Sequence, residues 1–267
     1  GQATLLLEPI GRNTAPALTL AALHASEQAS ENKQGPTDIG SDPILVITPA
    51  DQTIQSGAAF TKALRECVSV VAADDSKNTI AILGITPTAP ETGYGYIKKG
   101  GAQGAHGEFA VEQFAEKPDA QTAQSYVENG NYFWNSGMFV LRASTWLSAL
   151  KEFRHDIFGA TETAWVAKAI DQSGDTEFIR PDKEIFKSIP SESIDYAVIE
   201  KCPGSQFQIK MVELNAGWND LGAWDAVWQV GKKDECGNVT SGDTLLTNSK
   251  ASSFLSSGAD LTSSCMN

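Results

Sequence analysis

Ile44-Leu45-Val46-Ile47-Thr48-Pro49-Ala50-Asp51 is the stretch that decides the fold. Its first four residues form a continuous apolar run, the pattern of a strand buried on both faces, and that pattern belongs to parallel sheets. Residues 30–43 upstream are polar, with Gly and Pro, and read as a loop. Before the loop, residues 14–29 read as a helix that Asn13 can cap, with Leu18, Ala21, Ala22 and Ala25 on one face. Leu5 to Leu7 reads as the end of a strand. Downstream, residues 58–73 read as a helix and 79–85 as a strand. This β-α-β-α-β rhythm predicts a largely parallel sheet with helices on both sides.

The second half is more mixed. Residues 109–114 and 133–141 read as strands joined by a helix over 120–128, and residues 144–153 and 160–170 read as helices. Shorter helices are expected over 182–188 and 194–201, the latter capped by Ser191 or Ser193. A strand is expected over 206–213 and a helix over 223–230. From Gly237 the spacing of turns and short apolar pairs resembles one coil of a β-solenoid.

The chain has 267 residues, of which 41% are hydrophobic and 20% charged, which fits a globular protein of one large domain with a small second one. Its net charge of −13 repels nucleic acid and anionic membranes, and neither is expected as a partner. No apolar run reaches the roughly 18 residues of a membrane span. Cys67, Cys202, Cys236 and Cys265 are scattered, without Cys-x-x-Cys or ligand-spaced histidines, so reduced thiols in the cytoplasm are expected rather than a disulfide framework or a zinc site. His24, His106 and His155 form no nucleophile–base pattern, which disfavours covalent catalysis.

Ligands of open α/β sheets sit beyond the carboxyl ends of strands, and four segments occupy such positions. Glu8-Pro9-Ile10-Gly11-Arg12-Asn13-Thr14 follows the first strand and opens a helix. There, backbone N–H groups favour anions, Gly11 permits close approach, and Glu8 and Asn13 have groups that could read the edge of a base; a capped turn is the equal alternative. Asp51 could hold a divalent cation against substrate phosphates or simply cap the next turn. The same two readings apply to Asp220, in Trp218-Asn219-Asp220-Leu221-Gly222. In Glu116-Lys117-Pro118, Pro118 stops the strand, Lys117 offers a point charge for a phosphate and Glu116 accepts from sugar hydroxyls; the plain alternative is an exposed ion pair. Gly95 and Asn135 offer bare backbone and an amide, as sugar sites often do, whereas Trp134 reads as core. Asp195 lies in the first turn of a short helix, where a cap-and-dipole role suffices.

Together, Glu-Pro-x-Gly-Arg-Asn-Thr-Ala-Pro-Ala, Glu-Thr-Gly-Tyr-Gly-Tyr-Ile, Phe-x-Glu-Lys-Pro, Trp-Asn-Ser-Gly-Met-Phe, Ser-Ile-Asp-Tyr-Ala-Val and Trp-Asn-Asp-Leu-Gly-x-Trp resemble, in family order, the mannose-1-phosphate guanylyltransferases (GDP-mannose pyrophosphorylases). The type is the bacterial one sometimes fused to phosphomannose isomerase, and the match runs from Glu8 to about Thr247. The resemblance implies a Rossmann-like α/β fold with a mixed, mainly parallel sheet. It implies a nucleotidyltransferase domain over 1–233 and the start of a left-handed β-helix over 234–267. It implies direct in-line transfer from GTP to mannose 1-phosphate, giving GDP-mannose and pyrophosphate with Mg²⁺. Glu8, Asn13 and Thr14, with Gly11, would line the nucleotide; Asp51 and Asp220 would hold Mg²⁺; Lys117 would hold the sugar phosphate; Gly95, Glu116 and Asn135 would bind the mannose. A homo-oligomer is compatible with this reading.

Three departures accompany the resemblance. The family's glycine-rich loop lies upstream of Glu8, so the 267 residues are expected to be incomplete at both ends and weakly active or inactive by themselves. Gln52 stands where the family usually has His. The serine-rich tail after Thr247 drifts from a β-helix pattern. The alternatives are a non-catalytic module that binds sugar phosphate or GDP-sugar, and a related pyrophosphorylase acting on another sugar or nucleotide.

Overall fold

The computed structural model describes residues 3–31, 42–222, 228, 231–242, 244, 246 and 249–255. In chain order the elements are β1 (Ala3–Leu6), α1 (Thr14–Glu31), β2 (Ile44–Ile47), β3 (Thr53–Ile54), α2 (Gly57–Ala72), β4 (Thr79–Ile85), β5 (Gly95–Gln103), β6 (Glu108–Glu116), α3 (Ala120–Asn129) and β7 (Tyr132–Arg142). They continue with α4 (Ala143–Phe153), α5 (His155–Val166), β8 (Ala169–Ser173), β9 (Thr176–Arg180), α6 (Lys183–Lys187), α7 (Ile194–Ala197), a 3-10 turn (Ile199–Lys201), β10 (Gln208–Glu213), β11 (Trp218–Asn219), β12 (Val239–Ser241) and β13 (Ser253–Leu255). By compactness the chain divides into a first unit, Gly1–Pro49 with Gly57–Asn215, and a second, Ala50–Ser56 with Ala216–Asn267. The boundary near 233 expected from the sequence falls inside the second unit.

The first unit is built on a six-stranded sheet of order β2-β7-β4-β10-β6-β5, in which β5 also pairs with β7. The fold is α/β and the sheet is mixed. Strands β2, β4, β5 and β10 run one way, yet only β4 and β10 are parallel neighbours, because β6 and β7 run the other way and insert among them. The α/β rhythm is therefore right that β2 and β4 run the same way but wrong about adjacency, and its first strand, β1, belongs to another sheet. Such an alternation fixes which way each strand points but not which strand becomes its neighbour.

Two-face burial also belongs to a different strand from the one expected. All seven residues of β4 are buried, at the middle of the sheet. In β2, by contrast, no residue is fully buried and Val46 is 47% exposed. The physical reason is position: β2 is an edge strand whose only described partner is β7, so half of its surface meets nothing in this sheet.

A second sheet, β1-β9-β8, joins β1 in parallel to β9 and closes β8 on β9 as a hairpin. The helix expected over 160–170 is not continuous: α5 ends at Val166 and β8 begins at Ala169. Every residue of β8 is exposed, so there is no apolar face for periodicity to reveal. The available signal is Gly174-Asp175 between Ser173 and Thr176, a two-residue hairpin connection whose first residue has φ 59°. Strand β5 likewise has no signature in the residues. Its outer half, Lys98-Lys99-Gly100-Gly101, does not look like a strand, and it forms by pairing with β6.

Helices α1, α4 and α5 pack into the core with Leu18, Leu20, Trp146, Leu150, Ile157 and Trp165. Thr19 and Trp146 are both fully buried, and the indole N–H of Trp146 donates to Thr19 Oγ1 at 3.0 Å while the same hydroxyl donates to the Ala15 carbonyl at 2.8 Å. A large aromatic can be buried this deeply only if its polar atom finds a partner.

In the second unit β3 pairs antiparallel with β11, and β12 pairs parallel with β13. The parallel pair is compatible with a solenoid coil. The helix expected over 223–230 lies outside the described residues except for Trp228, and the tail from 256 onward, including Cys265, lies outside them entirely.

Replacing Thr19 with Val keeps the shape but removes the acceptor for the Trp146 indole. Urea unfolding of Thr19→Val is expected to show a loss of about 1–3 kcal/mol, the cost of a buried unpaired donor. A change within experimental error would mean that this bond contributes nothing to the core.

Candidate functional site

The carboxyl end of β4 and the start of β5 meet on opposite sides of β7. Ile85 and Tyr96 both pair with Trp134, and Gly84 pairs with the next residue, Asn135. Gly95, which opens β5, pairs with Glu116, the last residue of β6. Gly95 lets these side chains close in on the backbone: a Cβ at that position would stand 2.5 Å from Glu116 Oε2, 3.1 Å from the Phe114 ring and 3.3 Å from Asn135 Cβ, and would displace the Glu116 carboxyl. The sheet register therefore gathers Gly95, Glu116 and Asn135, three residues from three strands, into one cluster.

Within it the Glu116 side chain is only 8% exposed, and its Oε2 is buried without a hydrogen-bond partner. Burial, helped by the neighbouring Asp195 carboxylate and opposed by Lys117, pushes the Glu116 carboxyl up to about 7. The Lys117 ammonium is 3.6 Å from Glu116 Oε1 and mostly exposed. Its backbone has φ 48°, a left-handed conformation that a lysine rarely adopts, held by the N–H donating to the Tyr94 carbonyl at 3.1 Å. A strained residue at the mouth of a cluster of functional groups is a pattern of binding sites rather than of scaffolds.

Asn135 is held from two sides. Its Nδ2 donates to Asp195 Oδ1 at 2.8 Å, and its Oδ1 accepts from the Gly137 N–H at 3.1 Å. Asp195 thus belongs to the cluster, although sequence reasoning assigns it only a capping role. Ser193 is the N-cap of α7, its hydroxyl accepting from the Tyr196 N–H, which frees the Asp195 side chain to turn inward. No local signal shows this, since both residues satisfy the rules for a helix start.

The segment from Glu8 to Thr14 reaches the same region from another direction. Thr14 Oγ1 accepts from the Ile194 N–H at 2.9 Å, and the Ala15 N–H donates to the Glu192 carbonyl at 3.1 Å. The Arg12 guanidinium donates to the Lys187 carbonyl. Asn13, at φ 65°, turns its Oδ1 onto the adjacent Thr14 N–H at 2.8 Å, which is not the bond of an N-cap, whose side chain accepts from the second or third helical N–H. Glu8 Oε1 is buried without a partner, and burial raises the carboxyl above its ordinary range. Gly11 faces open space, with room for a ligand along the backbone.

Asp51 and Asp220 both belong to the second unit. The β3–β11 ladder pairs Thr53 with Asn219, which brings the two aspartates to the same end of the ladder, Asp51 just before β3 and Asp220 just after β11. Gln52 Oε1 accepts from the Trp218 indole N–H at 2.9 Å, which gives that amide a definite bond. Asn219 Oδ1 and Asp220 Oδ1 accept from the N–H groups of Leu221 and Gly222, at 2.8 and 3.1 Å, around a Leu221 held at φ 52°. No group of three or more His, Cys, Asp or Glu suited to a metal exists among the described residues. Two carboxylates nonetheless fit a divalent cation of the hard, oxygen-seeking kind, which takes its remaining ligands from phosphate oxygens and water.

The sequence matches the profile of the Nucleotidyl transferase family over residues 1–236. The chain belongs to the nucleotidyl transferase family. This nucleotidyl transferase is 45% identical over 241 residues to the xanthan biosynthesis protein XanB of Xanthomonas campestris, a match covering 90% of this chain and 46% of that one. It is 43% identical over 248 residues to a mannose-1-phosphate guanylyltransferase of Klebsiella pneumoniae, covering 92% and 48%. The chain therefore spans about half the length of the curated relatives it matches. A crystal structure described as mannose-1-phosphate geranyltransferase from Thermus thermophilus aligns with a TM-score of 0.74 at 26% identity, covering 96% of this chain and 72% of that one. A second, described as mannose-6-phosphate isomerase from Helicobacter pylori, aligns with a TM-score of 0.66 at 28% identity, covering 81% and 75%. Among the described residues no helix is long and apolar enough to cross a membrane.

The displaced Glu116 carboxyl gives this nucleotidyl transferase a pH-dependent stability of defined sign. Unfolded, the group titrates near its ordinary 4.5; folded, near 7. Between these values the unfolded chain holds fewer protons, so the stabilisation present below pH 4.5 is lost as the pH rises toward 7. Glu116→Gln is expected to remove a fall on the order of 2 kcal/mol from the pH profile of unfolding free energy over that window. Identical profiles for the two proteins would show that Glu116 is an ordinary, solvated carboxylate.

Proposed function

We propose that this chain is the nucleotidyl-transferring part of a mannose-1-phosphate guanylyltransferase, acting on GTP and mannose 1-phosphate in the presence of Mg²⁺. The observation that carries the reading is the cluster of Gly95, Glu116, Lys117 and Asn135. It combines a buried carboxyl with a free oxygen, a fixed amide and an exposed ammonium, the groups that bind a hexose ring and its phosphate. The identity to relatives bearing that name supports the choice of hexose and nucleotide.

The reaction requires no enzyme-bound intermediate. A phosphate oxygen of mannose 1-phosphate attacks the α-phosphorus of GTP; the new P–O bond forms as the bond from the α-phosphorus to the bridging oxygen breaks, and pyrophosphate leaves with that electron pair. The chain's part is positioning and charge. Glu116 and Asn135 hold hexose hydroxyls, and Gly95 keeps the backbone clear for the ring. Lys117 holds the sugar phosphate and balances its charge. Glu8 and Asn13 read the nucleotide base, with Gly11 and Thr14 shaping the turn beneath it. Asp51 and Asp220 would hold Mg²⁺, which when bound neutralises the phosphate charge. The cytoplasm suits these substrates and the free thiols of the buried Cys67 and Cys202.

Pyrophosphate release from GTP, with mannose 1-phosphate and Mg²⁺, tests the reading in the full natural chain. Turnover is expected there, falling by about two orders of magnitude or more in Asp51→Asn and Asp220→Asn, the usual scale for losing charge stabilisation at a transferring phosphate. Binding of mannose 1-phosphate without turnover would leave a sugar-phosphate-binding module and overturn the assignment as an enzyme.

Lys117 separates stability from function. Lys117→Gly relieves a left-handed lysine backbone, so it is expected to raise unfolding stability by about 1 kcal/mol relative to Lys117→Ala. Both variants should weaken mannose 1-phosphate binding in calorimetry by at least about tenfold. Wild-type affinity in both would remove Lys117 from the phosphate site.

A further inference from the structure

Asp195 is the acid in the pocket that the proposed reaction does not use. It sits in the first turn of α7, and its Oδ1 accepts from Asn135 Nδ2 at 2.8 Å. The amide of Asn135 could otherwise rotate, exchanging donor and acceptor toward the ligand. With Nδ2 tied to a carboxylate and Oδ1 tied to the Gly137 N–H, its orientation is fixed. Asp195 is held in turn: the N–H of the preceding Ile194 donates to Thr14 Oγ1, and Ser193 caps the same turn. A continuous path of hydrogen bonds thus runs from Thr14, on the nucleotide-side segment, through the backbone of α7 to Asp195 and the Asn135 amide.

We propose that Asp195 is a positioning residue of the hexose pocket, orienting the Asn135 amide and setting, through its charge, the pH at which Glu116 becomes a hydroxyl acceptor. The inference rests on the hexose-phosphate reading of the cluster. Glu116 and Asp195 both lie against Asn135 or its neighbour Gly95, so two carboxyls share one poorly solvated region. The charged groups facing them are Lys117, which follows β6, and Glu200, on the 3-10 turn; from α1 comes only the uncharged hydroxyl of Thr14. Lys117 opposes the Glu116 and Asp195 carboxyls, while Glu200 also has Lys201 beside it. Burial raises the Asp195 carboxyl as well, and the Asp195 charge raises Glu116. Two like charges in such a place titrate together rather than singly.

Two substitutions separate the effects. Asp195→Asn keeps the shape and a carbonyl oxygen that can accept from Asn135, but removes the charge. Asp195→Ala removes both. Mannose 1-phosphate binding is measured by calorimetry from about pH 5.5 to 8.5 in the full natural chain, a window that brackets the shifted Glu116 carboxyl. Each variant is compared with wild type at the same pH, so that the ligand's own ionisation cancels. In Asp195→Asn the pH at which binding reaches half its maximum is expected to fall by at least about half a unit, with affinity near wild type at the alkaline end. In Asp195→Ala affinity is expected to fall about tenfold or more at every pH, the scale of one hydrogen bond to a charged group. An unshifted profile in Asp195→Asn, or affinity within about twofold of wild type in Asp195→Ala, overturns the proposal.

The Asn135 side-chain amide gives a readout that needs no ligand. In wild type its Nδ2 protons should exchange slowly with solvent and shift in NMR spectra as the carboxyl pair titrates. In Asp195→Ala the slow exchange should disappear, and its survival there would overturn the positioning role. Absence of mannose 1-phosphate binding in wild type would instead refute the hexose reading, leaving the amide measurement to decide the role of Asp195.

Discussion

The first unit depends on the register of β7. It pairs with β4 along one side and, along the other, with β2 over residues 139–142 and with β5 over residues 132–134, and no other described strand touches three partners. This is possible because β2 stops at Phe139 and leaves that side of β7 to β5, so that Tyr96 and Ile85 face each other across Trp134. A slip of one residue in β7 would turn every side chain to the opposite face, expelling Phe133 and Phe139 from the core and pointing Asn135 away from Gly95. The packing of the sheet and the assembly of the site are therefore the same constraint.

Strain and burial concentrate where that register brings strands to an end. Lys117 is left-handed, Glu116 carries a buried oxygen without a partner, and a methyl group at Gly95 would displace the Glu116 carboxyl. Each is unfavourable locally, and the surrounding strands hold them in place. In the helical layer, the buried indoles of Trp146 and Trp165 find partners in Thr19 and Glu27. A buried oxygen without a partner is one that a ligand hydroxyl can satisfy.

Part of this is legible in the residues. The helices over 14–31, 57–72, 120–129 and 143–153 follow from apolar spacing, and the candidate positions Gly95, Glu116, Lys117 and Asn135 follow from motif order. The hairpin β8–β9 is not legible, because β8 is exposed throughout and presents no apolar alternation. Strand β5 is not legible either, because two lysines and two glycines carry no strand pattern of their own and are ordered by their partner β6. Asp195 escapes notice because the start of a helix is itself a sufficient reason for an aspartate.

The sequence by itself determined the α/β class, the common direction of β2 and β4, and the kinds of polar groups available to the candidate site. Those are consequences of local periodicity and side-chain chemistry, which neighbouring residues carry without help. Only the tertiary structure decided that β7 intervenes between those strands, that β2 is an edge and β4 the centre, and that Asp195 faces Asn135. These are pairings over long sequence separations. Their free energy comes from burying surfaces that are not adjacent in the chain, so no stretch of residues encodes them singly.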